Sequence, residues 1–195
     1  MTIEVLTLTG AAFEAALDDV ARLRIEVFRH WPYLYDGDMD YERRYLSRYC
    51  GSGGAVLVGA FDGARLIGAS TGAPMEEHSD DFGAPFAARG MDLRDVFYCA
   101  ESVLLPDYRG RGLGHAFFDA REAQARKLGR GHAAFCSVIR PADHPERPAD
   151  YRPLDAFWRK RGYEPQPGMV AEYAWKDRGQ PRETLKQLQF WMRAL

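Results

Sequence analysis

The residues best suited to chemistry lie together, in Glu101-Ser102-Val103-Leu104-Leu105-Pro106-Asp107-Tyr108-Arg109-Gly110-Arg111-Gly112-Leu113-Gly114-His115. An apolar stretch ends at Leu105, a glycine-rich loop follows, and a helical pattern runs from Gly112 to Leu128. A helix start offers backbone N–H groups without internal partners, together with partial positive charge. Glycines let a bulky phosphate approach those groups closely, and Arg109 and Arg111 add formal positive charge. The segment therefore predicts a phosphate or pyrophosphate ligand.

Three glycine-loop types compete for this segment. A Walker loop needs Gly, four residues, then Gly-Lys-Ser/Thr, and the chain has no Gly-Lys pair. A dinucleotide fingerprint needs Gly-x-Gly-x-x-Gly and a later acid for the ribose. Gly110 and Gly112 fit, but His115 stands at the third glycine and no acid lies near position 130. The third type, Arg-x-x-Gly-x-Gly, is met by Arg109, Gly112 and Gly114. It resembles the acetyl-CoA loop of the GCN5-related N-acetyltransferases (GNATs). The likeness extends through Leu104 to Gly112. It returns in Leu154-Asp155-Ala156-Phe157-Trp158-Arg159-Lys160-Arg161-Gly162-Tyr163-Glu164, which resembles that family's second motif, a short helix ending in Gly-aromatic. It covers roughly residues 50 to 176, and the start more loosely.

The resemblance implies a mixed, largely antiparallel central sheet with one splayed parallel strand pair and flanking helices. Acetyl-CoA, as co-substrate, would wedge between the strand ending at Leu105 and the one at Ala133 to Ile139. The pantetheine would pair with the backbone of Val103, Leu104 and Leu105. The pyrophosphate would sit on the amides of Arg109, Gly110, Arg111, Gly112, Leu113 and Gly114. An amine would then attack the thioester directly in a ternary complex, with no covalent enzyme intermediate. Glu101 is the candidate base: a carboxylate within an apolar run needs a partner or a raised pKa. A structural pair with an arginine or hydroxyl is the alternative. Regular alternation would send Ser102 to the opposite face. At the position where many family members carry a tyrosine acid, this chain has Trp158, and indole donates no catalytic proton. Tyr151 and Cys136 are the substitutes, while Tyr163 reads as core.

The acceptor should meet the irregular segments. Trp31 to Asp38 packs aromatics and acids between two helical patterns. Tyr33, Tyr35, Asp36 and Asp38 could form an aromatic, anionic pocket for a cationic amine. They could equally be a capped turn, with Asp38 capping the helix from Met39. Arg140 and His144 belong to a loop with four prolines between 140 and 153 and could also line the pocket.

The elements that must position these residues follow from periodicity. Strands are expected at Ile3 to Leu8, Ala55 to Phe61, Arg65 to Thr71, Val96 to Leu105, Ala133 to Ile139 and Met169 to Trp175. Helices are expected at Phe13 to Phe28, Met39 to Tyr49, Gly112 to Leu128 and Leu154 to Arg161. A last helix is expected at Thr184 to Leu195, where Leu185, Leu188, Trp191, Met192 and Leu195 share a stripe. That stripe reads as packing on its own domain or as a homodimer contact. The 195 residues suit one domain, and 46% hydrophobic content can fill a core. Net charge is −2, but six bases against two acids fall between Arg109 and Arg130. A nucleic-acid partner, including charged tRNA, is therefore disfavoured, and an anionic ligand at one basic segment is favoured. Cys50, Cys99 and Cys136 form neither a disulfide framework nor a metal-ligand spacing. No apolar run reaches membrane length, and Met-Thr-Ile-Glu-Val lacks a signal-peptide layout. The expectation is a cytoplasmic acetyltransferase acting on a small-molecule or protein amine. An acyl-CoA-binding sensor and a Rossmann oxidoreductase are the rival classes.

Overall fold

The Asp62-Gly63 turn and the alternation at the start of the chain lay down three strands side by side. β1 (Ile3–Leu8) pairs antiparallel with β2 (Val56–Asp62), and β2 with β3 (Arg65–Pro74). The structure, a computed structural model, describes residues 3–195; Met1 and Thr2 of the leader reading lie outside the described residues. Val56 to Ala60 and Ile67 to Pro74 are buried without alternation, so both faces of these strands are covered. Between β1 and β2 run α1 (Ala11–Phe28) and α2 (Met39–Cys50). Asp38 caps α2 by accepting the Tyr41 N–H at 2.9 Å.

Two four-residue helices, α3 (Ser79–Phe82) and α4 (Ala84–Ala87), precede β4 (Val96–Tyr98) and β5 (Ser102–Leu104). Then come α5 (Leu113–Lys127), β6 (His132–Val138), α6 (Asp155–Lys160), β7 (Glu164–Trp175) and β8 (Thr184–Ala194). The sheet order is β1-β2-β3-β4-β6-β8-β7, with β5 pairing β3. β4 and β6 form the parallel pair, and the other pairings are antiparallel. This is the mixed α/β sheet that the sequence led us to expect.

The sequence reading fails at three places. The expected C-terminal helix is β8, a strand inserted between β6 and β7. Its residues serve two cores: Leu188 and Phe190 pack in one cluster and Trp191 in the other. Its burial alternates from Leu185 to Phe190, but Lys186 is buried and Leu185 exposed, which inverts the hydrophobic signal, and Leu, Lys, Gln and Met are strong helix formers. The dimer contact read from that helical stripe falls with it. Second, the expected strand from Val96 to Leu105 is two strands, interrupted at Cys99–Glu101. Third, the last strand before β8 begins at Glu164, not Met169, because an irregularity between Pro165 and Val170 masks its start.

Candidate active site

The interruption at Cys99–Glu101 is a β-bulge with a consequence for the whole sheet. From Ala73 to Ser70, three steps of β3 oppose four of its partner, from Tyr98 to Ser102. The extra residue bends the strand and re-aims its side chains. The Cys99 N–H donates to the Ala134 carbonyl at 2.8 Å, closing the β4–β6 ladder. Beyond it, Ala100 N–H turns to the Thr71 carbonyl at 3.1 Å, and β6 continues with β8 alone. β5 and β6 thus diverge. Thr71 N–H donates to the Glu101 carbonyl and Leu105 N–H to the Ile67 carbonyl. That alternation turns the backbone of Val103 and Leu105 to β3 and leaves the groups of Ser102 and Leu104 facing the splay. Of the three residues expected to pair with pantetheine, only Leu104 presents its backbone there, and Ser102 joins it.

At the far end of β5 the chain enters the loop. Tyr108 ties it to the β2–β3 turn by donating its hydroxyl to Asp62 at 2.8 Å. Gly110 and Gly112 hold φ of 76° and 82°, the left-handed region that favours glycine. Gly112 caps α5, and its carbonyl takes the His115 and Ala116 N–H groups. Among the described residues, the amides of Gly110 through Gly114 have no backbone acceptor. Arg109 and Arg111 are exposed beside them, with Arg111 bonded to the Asp107 carbonyl at 3.0 Å. Gly114 lets Phe157 approach: an added Cβ would lie 3.3 Å from its ring. This loop can bind a phosphate through backbone donors and a helix terminus.

The other end of the splay opens into an aromatic cleft of about 650 Å³, counting its mouth. Six tyrosines line it: Tyr33, Tyr35, Tyr41, Tyr45, Tyr98 and Tyr173. Ala100, Glu101 and Cys136 join them from the diverging strands. Most of the phenols spend their hydroxyls on neighbours. Tyr41 and Tyr173 share a bond of 2.9 Å, Tyr45 donates to Glu101 Oε2 at 3.2 Å, and Tyr98 meets Cys136 Sγ at 3.3 Å. Burial pushes the Cys136 thiol up to about 12 and raises Tyr98 well above the usual phenol range. Burial also holds the neighbouring His78 below the ordinary histidine value.

Glu101 is buried, with Arg24 beside it. Its Oε1 lies 2.9 Å from Arg24 Nη1 but off the N–H direction, so the pair is held by charge without a directed hydrogen bond. Arg24 Nε bonds to Glu42, which is fully buried, and the guanidinium stacks 4.4 Å from the Tyr45 ring centroid. Burial alone would lower the Arg24 pKa; Glu101 and Glu42 reverse this and raise it well above its ordinary value. The set of one arginine and two carboxylates carries a formal charge of −1.

The remaining candidates divide. Tyr33 and Tyr35 line the cleft. Asp36 does not: it pairs with Lys176 at 2.7 Å and Arg29 at 3.4 Å outside it. Arg140 is a clamp, donating to the Pro32 and Tyr33 carbonyls at 2.8 and 2.6 Å while pairing with Asp177 at 2.9 Å. Tyr151 is not among the residues lining the cleft; it lies edge-on to Trp31 with centroids 5.8 Å apart, and His144 packs on the same ring. Trp158 packs at a tilt against Phe135 and edge-on to Trp191. Ser102 is exposed where Glu101 is buried. The sequence reading missed Arg24, Glu42, Tyr45 and Tyr98. A signal existed for two of them. Arg24 falls four residues after Val20 and four before Phe28, and Glu42 shares a face with Tyr45, Leu46 and Tyr49. A charge on an apolar helix stripe marks a buried ion pair.

No protein-family model matches the sequence, and no curated protein does. Solved structures do match. The Salmonella typhimurium protein yncA, provisionally named an acetyltransferase and solved with acetyl-CoA, shares 12% identity at a TM-score of 0.62, over 100% of this chain and 95% of its own. Ribosomal-protein-alanine N-acetyltransferase from Brucella melitensis shares 14% at 0.63, over 97% and 99%. A provisionally named GNAT-family acetyltransferase from Desulfovibrio desulfuricans shares 12% at 0.59, over 99% of each chain. What is shared at these identities is the fold, and the chain has the GNAT acetyltransferase fold. Among the described residues, no group of three or more His, Cys, Asp or Glu side chains is placed to hold a metal ion. No described helix is long and apolar enough to cross a membrane.

Proposed function

We propose that the chain transfers an acetyl group from acetyl-CoA to a primary amine by direct attack in a ternary complex. The observation that carries this reading is the splay. A gap edged by the backbone of Ser102 and Leu104, the Leu104 carbonyl taking one long bond of 3.4 Å from Arg109 Nε, runs from five unpaired loop amides to the buried carboxylate of Glu101. A pyrophosphate takes the amides of Gly110 to Gly114, pantetheine takes the strand edge, and the thioester reaches the bulge. The structural neighbour solved with acetyl-CoA supports this ligand.

Glu101 acts as the base. Arg24 has a counterion of its own in Glu42, so Glu101 can gain a proton without leaving a bare buried cation. Glu101 takes one proton from the ammonium, and the freed lone pair attacks the thioester carbon. The C–N bond forms and the C–S bond breaks. The leaving thiolate takes the Tyr98 proton, and the second proton leaving nitrogen restores Tyr98. Burial keeps Tyr98 protonated until then; Trp158 has no acidic proton to give, and Tyr151 packs on Trp31 outside the cleft lining. The test is calorimetric titration with acetyl-CoA beside NAD and ATP, followed by thiol release with an amine panel. Binding of acetyl-CoA alone, with thiol release, is the expected result; NAD binding in its place would overturn it. An acyl-CoA sensor is the second reading, favoured by the hydroxyl-free cluster of Trp158, Phe135 and Trp191. Acetyl-CoA binding without thiol release for any amine would select it.

A further inference from the structure

The cleft constrains its second ligand. Arg24 and Glu101 are the only formally charged side chains among the described residues that line it. Arg24 is already charge-paired by two carboxylates, and the three groups together carry a formal −1, so the charge at this end of the cleft disfavours a substrate carboxylate. The ion set is one positive charge short, and Glu101 Oε1 lacks a directed donor. An ammonium would supply both. The acids nearby are already spent: Asp36 on Lys176, and Asp177 on Arg140 and Lys186. Among the described residues that line the cleft Glu101 is the one carboxylate, which leaves a polyamine no second anionic position there. The rest of the wall is ring surface. The tyrosine hydroxyls bonded to one another, to Glu101 and to Cys136 turn ring edges and faces to the space, beside Trp175 and Phe82. Such a wall binds flat apolar groups and cations.

We infer that the acceptor is a monocationic arylalkyl amine without a carboxylate, its ring held among the phenols and its ammonium at Glu101. This rests on the acetyl-transfer reading for its role as acceptor, but its binding can be measured separately. The full chain is titrated with 2-phenylethylamine, n-butylamine, spermidine and L-phenylalanine, without coenzyme A and again with it saturating. We expect 2-phenylethylamine to bind roughly tenfold tighter than each of the other three in at least one state. Glu101→Gln, checked for an unchanged thermal midpoint, is expected to weaken it by about the same factor. Tyr41→Leu, which takes a ring from the wall and leaves Arg24, Glu42 and Glu101 in place, is expected to narrow its margin over n-butylamine. Comparable or tighter binding of n-butylamine, spermidine or L-phenylalanine overturns the inference, as does no amine binding in either state. If acetyl-CoA fails to bind while 2-phenylethylamine does, the transfer reading falls and the cleft assignment stands. If acetyl-CoA binds and 2-phenylethylamine does not, the inference falls alone.

Discussion

The glycine loop and the aromatic cleft are built in opposite ways. The loop draws its donors from consecutive residues, Gly110 to Gly114, and from backbone rather than side chains. The cleft draws on α1, α2, β6, β7 and the β4–β5 bulge, and almost wholly on side chains. A backbone site written in consecutive residues tolerates side-chain change wherever the φ values survive. A site gathered from distant elements depends on each buried partner. The contrast predicts where substitutions will hurt.

The largest effect is expected at the cleft's carboxylate. Glu101→Gln should lower kcat by about a thousandfold, within the range for general-base removal, and leave the acetyl-CoA Kd within about twofold. Stopped-flow thiol release and calorimetry read the two separately, and unchanged turnover would remove Glu101 from the mechanism. Next is the Cys136 thiol, which its environment pushes up to about 12. Below that pH it stays protonated, so alkylation at pH 8 should be at least a few hundredfold slower than in the urea-unfolded chain. The folded rate should still climb past pH 9, where an ordinary thiol levels off; peptide mapping by mass spectrometry distinguishes Cys136 from Cys50.

Removing a buried partner comes third. Glu42→Ala is expected to cost about 3 kcal/mol, as breaking buried ion pairs does, and to lower the urea midpoint. The smallest effect is expected at the loop. Arg109→Glu should weaken acetyl-CoA binding roughly tenfold at low salt and less as salt screens it. Complete loss of binding would mean that the loop also depends on its side chains, and the contrast between the two regions would fail.

The same contrast governs what could be read from the sequence. Arg109, Gly112 and Gly114 form a local pattern whose physics needs no tertiary knowledge, and the first hairpin and the Asp38 cap were local too. The bulge at Cys99–Glu101 left no mark, because an extra residue in an apolar run preserves the run. Asp36 and Tyr151 were placed by proximity in sequence, yet a surface ion pair and a neighbouring indole hold them elsewhere. Arg24 and Glu42 were legible only as charges out of place, since the partner that explains each lies on another helix. β8 shows the same limit for a whole element. Its two-residue alternation is there in burial but not in residue type, because Lys186 is buried on the Trp175 carbonyl and Asp177 while Leu185 is exposed.

The place of β8 also sets a timetable for synthesis. Residues 184 to 194 lie between β6 and β7, so β7 joins the sheet only through a strand made after it. Until those residues leave the ribosome, β6 presents an open edge and Phe135 and Trp158 lack Trp191 above them. Between the synthesis of β6, which ends at Val138, and that of β8, which begins at Thr184, the nascent chain therefore carries a sticky, half-built sheet. Its yield in cells should depend on chaperone supply during that interval more than on the stability of the finished fold.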